Sequence, residues 1–382
     1  MKTIEVEVFS KEIIKPSSPT PQHLHCYQLS FLDQIAPPVY NPCVMFYSHQ
    51  DDLDETSHKL KKSLSDILTK FYPLAGRLKE DLFIDCNDKG IPFLEAKVKC
   101  QLYDVIQNPV PNELNKFIPF EIQLNIFECG GIAIGSCISH KVVDGLSSFM
   151  FLKSWAATTC GDLQMNVSGF NPRVGMTNEK NIVSKRFVFN AAMMEALREK
   201  YGHAKSLEQN ARPTYLEALS AFLWSRFTFY ALVHAINLQT RFDPPLSDDS
   251  FGNLFRMAIT IPFLGEEGCD LVKKMRDQIS HINSEYHLNF IKDRFEMFFK
   301  GEMISFNLTS WCRFLVYESD FGWRKPAWVG SPPFNFKNLV VLVDTKAGDG
   351  IEAVINLEEQ VMDKFECDRE SLTFLLPNGL KY

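Results

Sequence analysis

His140 and Asp144 stand four residues apart in the run His140-Lys141-Val142-Val143-Asp144-Gly145, and together they offer a base and a brace. A histidine is close to neutral at cytosolic pH, so its ring can take a proton from an attacking group in the transition state. The apolar run Ile132 to Ile138 precedes this stretch and the amphipathic run Leu146 to Ala156 follows it. The ring therefore belongs where a strand gives way to a helix, a junction that holds a side chain rigidly yet lets it reach a cleft. Four residues on, around a turn, the Asp144 carboxylate is expected to brace the loop and not to sit beside reacting atoms. His-x-x-x-Asp on its own recurs by chance, and a lone histidine at a strand end is more often a hydrogen-bonded structural residue.

Other chemistries lack their residues. The chain has no Gly-x-Ser-x-Gly elbow to supply a serine nucleophile. It has neither a phosphate loop nor a Gly-x-Gly-x-x-Gly turn, so ATP and dinucleotides are unsupported. What remains is one histidine acting as general base on a bound nucleophile. Two further stretches carry polar groups among aromatics. Asp320-Phe321-Gly322-Trp323-Arg324-Lys325-Pro326 describes a tightly packed turn whose carboxylate holds a partner arginine or backbone amides, a structural element by its chemistry. Thr309-Ser310-Trp311-Cys312-Arg313 offers a hydroxyl and an indole N–H, either suited to donate to an oxyanion; on the edge strand expected there, packing is the plainer role.

The elements that must position these groups follow from periodicity. Leu60, Leu64, Ile67, Leu68 and Phe71 fall on one helical face that Pro73 ends, and Pro73 to Arg77 turns into a strand. Leu124 to Phe127, Gly130-Gly131 and Ile132 to Ile138 read as a hairpin leading to His140. Gly161 to Asn181 has little periodicity and reads as a crossover. Beyond it come a strand at Arg186 to Phe189 and a helix opened by the capping box Thr214-x-x-Glu217. A late hairpin spans Leu339 to Leu342 and Ile351 to Ile355. The expected architecture is α/β in two domains, 1–165 and 186–382, joined by a crossover at 166–185.

Composition agrees with two globular halves: 382 residues, 45% hydrophobic and 23% charged, is too long for one ordinary core. A net charge of −7, with no basic run longer than Lys59 to Lys62, excludes nucleic acid as an expected partner. No apolar stretch approaches the ~18 residues of a membrane span. Ten cysteines without a Cys-x-x-Cys pair read as reduced thiols of a cytosolic protein, with neither a disulfide framework nor a zinc site.

Taken together, His140-x-x-x-Asp144-Gly145 followed by Asp320-Phe321-Gly322-Trp323 closely resembles the plant BAHD acyltransferases. Ser30-Phe31-Leu32-Asp33, Phe71-Tyr72-Pro73-Leu74-Ala75-Gly76-Arg77, Phe127-Glu128-Cys129-Gly130-Gly131, Pro244-Pro245-Leu246, Phe251-Gly252-Asn253 and Asp349-Gly350-Ile351-Glu352-Ala353 extend the likeness along the chain. The opening Pro16 to Pro21 and Thr309 to Arg313 look most like the branch that acetylates alkaloids and terpenoids. The resemblance implies a two-domain chloramphenicol-acetyltransferase-like fold, mixed sheets with flanking helices and a channel between the domains. It implies a cytoplasmic monomer with no permanently bound cofactor that takes acetyl-CoA, or another acyl-CoA, and an alcohol. His140 would act as base without a covalent acyl-enzyme. N-acylation of an amine, or a member that binds without turnover, are the alternatives. Thr309 and Trp311 match family positions near the acceptor and acyl groups, and Asp144 and Asp320 match structural carboxylates.

Three departures stand out. Arg324 takes the place of the glycine that ends the second motif. At a position requiring φ > 0 that would cost roughly 1–2 kcal/mol. Gln239-Thr240-Arg241 replaces the Arg-x-Arg whose first arginine pairs with the Asp144 carboxylate, so either Gln239 keeps a neutral bond or Arg241 swings in. The chain is also short after Pro119, near Asn171-Pro172 and around Gly265, at expected surface loops.

Overall fold

The computed structural model describes residues 4–48, 52–80, 82–118, 122–162, 182–202, 212–227, 230–247, 250–261, 268–282, 303–334 and 336–375. The chain divides into two compact units. The first comprises Met1–Asn178, Ser247–Leu254 and Arg313–Phe334; the second comprises Glu179–Leu246, Phe255–Cys312 and Asn335–Tyr382. The expected crossover lies, as far as residue 181, outside the described residues, and so do the short-loop positions at 119–121, 171–172 and 265.

The first unit is built on a six-stranded mixed sheet in the order β1 (Val6–Ile14), β6 (Ile91–Val98), β7 (Ile122–Phe127), β8 (Ile132–Ser139), β3 (Tyr40–Tyr47), β13 (Trp328–Gly330). A three-stranded sheet of β2 (Cys26–Gln28), β5 (Phe83–Asp85) and β4 (Arg77–Lys79) accompanies it. The expected hairpin is β7 against β8, antiparallel, and β8 runs on into the histidine turn. Both strands are buried almost throughout, so they read as continuous apolar runs and not as an alternation. β6 and β7 pair in parallel, and such a pair needs a crossover. Helix α3 (Leu102–Ile106) and a 3-10 turn over Pro111–Phe117 supply it. Leu102, Phe117, Phe46, Phe127 and Trp328 close one core, with Phe46 edge-on to Phe117 at 5.6 Å and stacked on Trp328 at 5.4 Å.

A short helix α1 (Phe31–Ile35) precedes β3. The amphipathic α2 (Leu53–Lys70) buries Leu60, Leu64, Ile67 and Leu68, is capped by Asp52, and gives way to a 3-10 turn containing Pro73. It packs against α4 (Gly145–Thr159), where the Trp155 indole donates to Ser63 Oγ at 3.0 Å and to the Leu60 carbonyl at 3.2 Å.

The second unit carries its own six-stranded sheet in the order β11 (Phe255–Thr260), β10 (Ala231–Asn237), β12 (Ser305–Ser310), β14 (Leu339–Asp344), β15 (Ile351–Glu358), β9 (Ile182–Phe189). The late hairpin is β14 with β15. Helices α5 (Ala191–Gly202), α6 (Tyr215–Ser225), α7 (Gly268–Ser280), α8 (Glu359–Cys367) and α9 (Arg369–Leu375) flank it. Phe189, Leu197, Phe222, Trp224, Phe306 and Met362 are among its core. The capping box forms as expected: Glu217 N donates to Thr214 Oγ1 at 3.2 Å, and Thr214 N donates to Glu217 Oε2 at 2.7 Å. The edge-strand expectation for Thr309 is corrected. β12 is interior, paired in parallel with both β10 and β14. Parallel neighbours lie far away in sequence and leave no local turn signal, so a sequence gives no warning of a second partner.

No helix among the described residues is long and apolar enough to cross a membrane. Gly135, at the middle of β8, marks a close approach in the strand that ends at His140. A Cβ there would lie 2.0 Å from the Phe117 carbonyl oxygen. Gly135→Ala is therefore expected to destabilise the first unit by at least about 1–3 kcal/mol, and thermal unfolding should show a midpoint lowered by several degrees.

Candidate active site

β8 ends at Ser139 and α4 begins at Gly145, so His140 to Asp144 bridge strand and helix. Backbone groups in such a bridge have no regular partners, and several find one in distant parts of the chain. His140 N donates to the Val39 carbonyl at 2.7 Å, and Val142 N returns to Ser139 O at 2.9 Å. The Val143 carbonyl accepts from Asn41 Nδ2 at 2.9 Å. Lys141 is buried and donates through Nζ to the Gln34 carbonyl at 2.7 Å. A cation on this turn thus ends on a backbone oxygen.

Asp144 is the N-cap of α4. Its Oδ1 accepts from Ser147 N at 2.9 Å and its Oδ2 from Leu254 N at 3.0 Å. Its own N–H donates to Gly252 O at 3.3 Å, and Ser147 Oγ also donates to Gly252 O, at 3.0 Å. Residues 250–254 are thereby sewn onto the start of α4. Gly252 has φ +134°, a region that favours glycine, and this turns its carbonyl toward both donors. Phe251 anchors the segment, edge-on to Phe71 at 5.0 Å, with Phe71 in turn edge-on to Phe151 of α4 at 5.2 Å.

His140 is half-buried as a residue. Its Nδ1 lies 3.0 Å from Asn253 Oδ1. Burial holds its pKa below the ordinary histidine value; Lys141 adds to that, while the ring's own carbonyl, the Asp144 charge and Asn253 oppose it. For Asp144 burial acts upward, and the Ser147 and Leu254 amides pull the other way. Both carboxylate oxygens of Asp144 face helix-start and segment amides.

Behind Asn253 lies Asp33. Its Oδ1 accepts from Asn253 Nδ2 at 3.0 Å and Asn253 N at 3.2 Å, and its Oδ2 accepts from Ser30 N at 3.0 Å and from Ser30 Oγ. Asn253 Nδ2 also donates to the His140 carbonyl at 2.7 Å. In the sequence, Asn253 and Asp33 carry the family likeness and no role of their own. Nothing in their spacing links them to His140, since they stand 113 residues and 220 residues from their respective partners.

Asp320, Phe321, Gly322 and Trp323 also belong to the first unit. Asp320 Oδ1 accepts from the amides of Gly322 and Arg324, both at 2.9 Å. Phe321 is buried edge-on to Trp155 at 5.0 Å, and Tyr47 stands edge-on to Phe321 and Trp323 at 5.9 and 6.1 Å. The turn thus supports α4 from behind. Thr309, Trp311, Gln239 and Arg241 belong to the second unit. Thr309 is half-buried near the end of β12; Trp311 is buried, its backbone N–H donating to Leu342 O at 2.7 Å. Gln239 is buried and its backbone N–H donates to Asn237 Oδ1 at 2.9 Å. Arg241 Nη1 donates to the Ile279 and Ile282 carbonyls at 3.0 and 3.2 Å.

The model of the Transferase family matches residues 4–176 and 164–372. Stemmadenine O-acetyltransferase of Catharanthus roseus is 36% identical over 96% of this chain and 98% of its own. Vinorine synthase of Rauvolfia serpentina is 33% identical over 96% and 98%. The vinorine synthase crystal structure superposes with a TM-score of 0.84, covering 97% of this chain and 98% of that one. A limonoid 7-O-acetyltransferase of Citrus sinensis is 34% identical over 97% and 98%.

Arg324 has φ +89° and its side chain is exposed, so its bulk meets solvent while its backbone is strained. Arg324→Gly should relieve that strain and stabilise the protein by about 1 kcal/mol, read as a rise of roughly 2–4 °C in thermal midpoint.

Proposed function

The chain belongs to the Transferase family, the BAHD acyltransferases, and from this premise we propose that it moves an acetyl group from acetyl-CoA to a hydroxyl of an alkaloid or terpenoid plant metabolite. The relatives named for O-acetylation of stemmadenine and of limonoids support the acceptor class and the acyl group. The observation that carries the reading is His140: a histidine with its pKa lowered by burial, held at the strand–helix junction by the turn that Asp144 caps.

A bare alkoxide is out of reach near neutral pH, so proton transfer accompanies attack. His140 takes the hydroxyl proton as the oxygen adds to the thioester carbonyl. The C–O bond forms, the C–S bond breaks, and the imidazolium returns the proton to the departing CoA thiolate. Acyl passes from donor to acceptor without resting on the protein. Such a base contributes about 10²–10⁴ in rate. Asp144 stabilises the fold of the turn and, as a nearby negative charge, the imidazolium that forms. The protein works in the cytosol as a monomer in this reading.

Incubation with acetyl-CoA and a panel of such alcohols, with CoA release followed, tests the activity. His140→Ala should lower turnover by about 10²–10⁴ with the thermal midpoint held; full activity in that variant would remove the base. The neutral ring is the active form, and its lowered pKa carries that form to lower pH. The acid limb of kcat/KM is therefore expected below the ordinary histidine value of about 6.5, with more than half the plateau retained there. An acid limb above that pH would contradict the lowered pKa.

A further inference from the structure

Asn253 is 2% exposed and Asp33 3% exposed, and with the ring's own carbonyl, which also only accepts, they leave the His140 ring little choice of proton position. An asparagine amide has two donors on Nδ2 and an acceptor on Oδ1. Nδ2 faces two acceptors, the His140 carbonyl oxygen at 2.7 Å and Asp33 Oδ1 at 3.0 Å. The reversed amide would set its oxygen against both of these, two buried oxygen–oxygen contacts with no proton between them. Oδ1 is thereby the atom presented to His140 Nδ1 at 3.0 Å. Since that oxygen only accepts, Nδ1 must carry the hydrogen. In a neutral imidazole the other nitrogen, Nε2, then holds the lone pair.

Asp33 is what fixes the amide. All four of its contacts, Asn253 N and Nδ2 and Ser30 N and Oγ, are N–H or O–H groups able to donate to it. Asp33 and Ser30 also form the capping box of α1, so the carboxylate cannot turn without fraying that helix. We propose that Asp33 and Asn253 are positioning residues that lock His140 as the Nδ1–H tautomer and make Nε2 the base of the acyl transfer. The catalytic half of this rests on the function proposed above; the tautomer half does not. The relay gives the Ser30–Asp33 and Phe251–Asn253 stretches one shared role, because a histidine with its proton on the wrong nitrogen presents a donor where a base is needed.

Two measurements decide it on the full chain. Histidine ¹⁵N NMR of the free protein reports the tautomer without reference to any substrate. His140, assigned by its loss in His140→Ala, should show Nδ1–H in the wild type and a shift toward Nε2–H in Asn253→Ala and Asp33→Ala. In steady-state kinetics each of these two variants should lose roughly 10- to 100-fold in kcat with KM within about threefold. Asp33→Asn, which keeps an oxygen for Asn253 Nδ2 but sets an NH2 against the Ser30 amide, should lose less than Asp33→Ala. The double variant His140→Ala/Asn253→Ala should be no slower than His140→Ala, because Asn253 acts only through the ring. An Nε2–H wild-type ring, or an Asn253→Ala enzyme with undiminished kcat, overturns the relay. Unchanged turnover in His140→Ala with the Nδ1–H ring intact would instead overturn the base assigned above and leave the tautomer assignment standing.

Discussion

A polar group taken out of water must find a partner, and the bridge from β8 to α4 is where that demand is sharpest. Five consecutive residues there lack regular secondary-structure partners. Val142 and Val143 turn back to the Ser139 carbonyl, and three distant pieces of chain supply further partners: Val39 and Asn41 around the start of β3, Gln34 in the first helix, and Gly252 to Leu254 from the middle of the sequence. Leaving any one of these groups buried without a partner would cost about 1–3 kcal/mol. The arrangement of the histidine is thus a by-product of satisfying its own backbone. The segment 250–254 is fixed first of all by what the turn requires of it.

Aromatic packing makes that polar closure rigid. Phe251 is clamped on Phe71 and Phe71 on Phe151, while elsewhere on α4 Trp155 meets Phe321. Edge-on pairs of this kind add about 0.5–1.5 kcal/mol beyond area burial, and they restrict rotation as well as separation. The Asp320 carboxylate closes its own loop, accepting from the amides of Gly322 and Arg324, in the turn that carries Phe321 and Trp323. Both carboxylates of the two motifs are therefore engaged by backbone amides. Burial can then act on the imidazole without a neighbouring anion being freed to bind its proton.

Much of this is legible in the sequence, because local periodicity and capping chemistry are written in neighbouring residues. The hairpin into His140, the helix stopped before Pro73, the Thr214 capping box and the late hairpin are all features that four to eight residues specify. The strand carrying Thr309 reads as an edge and is not one, because its neighbours β10 and β14 are supplied from elsewhere in the chain. The same limit hides Asn253 and Asp33. Their residue types are ordinary, and only a bond across 113 or 220 positions gives them meaning. The positive φ at Arg324 follows from the glycine it replaces, since backbone handedness is a local property.

β13 is a three-residue strand, yet its position on β3 has a consequence for how the chain is made. The sheet that bears the histidine is completed only by residues 328–330, and the turn beneath α4 only by residues 320–324. A ribosome delivers the first half long before it delivers these. The nascent first unit must therefore wait with β3 uncapped and the Trp155 ring uncovered while more than a hundred further residues emerge. Vectorial synthesis, which lets many two-domain proteins finish one half before starting the other, gives this fold no such advantage.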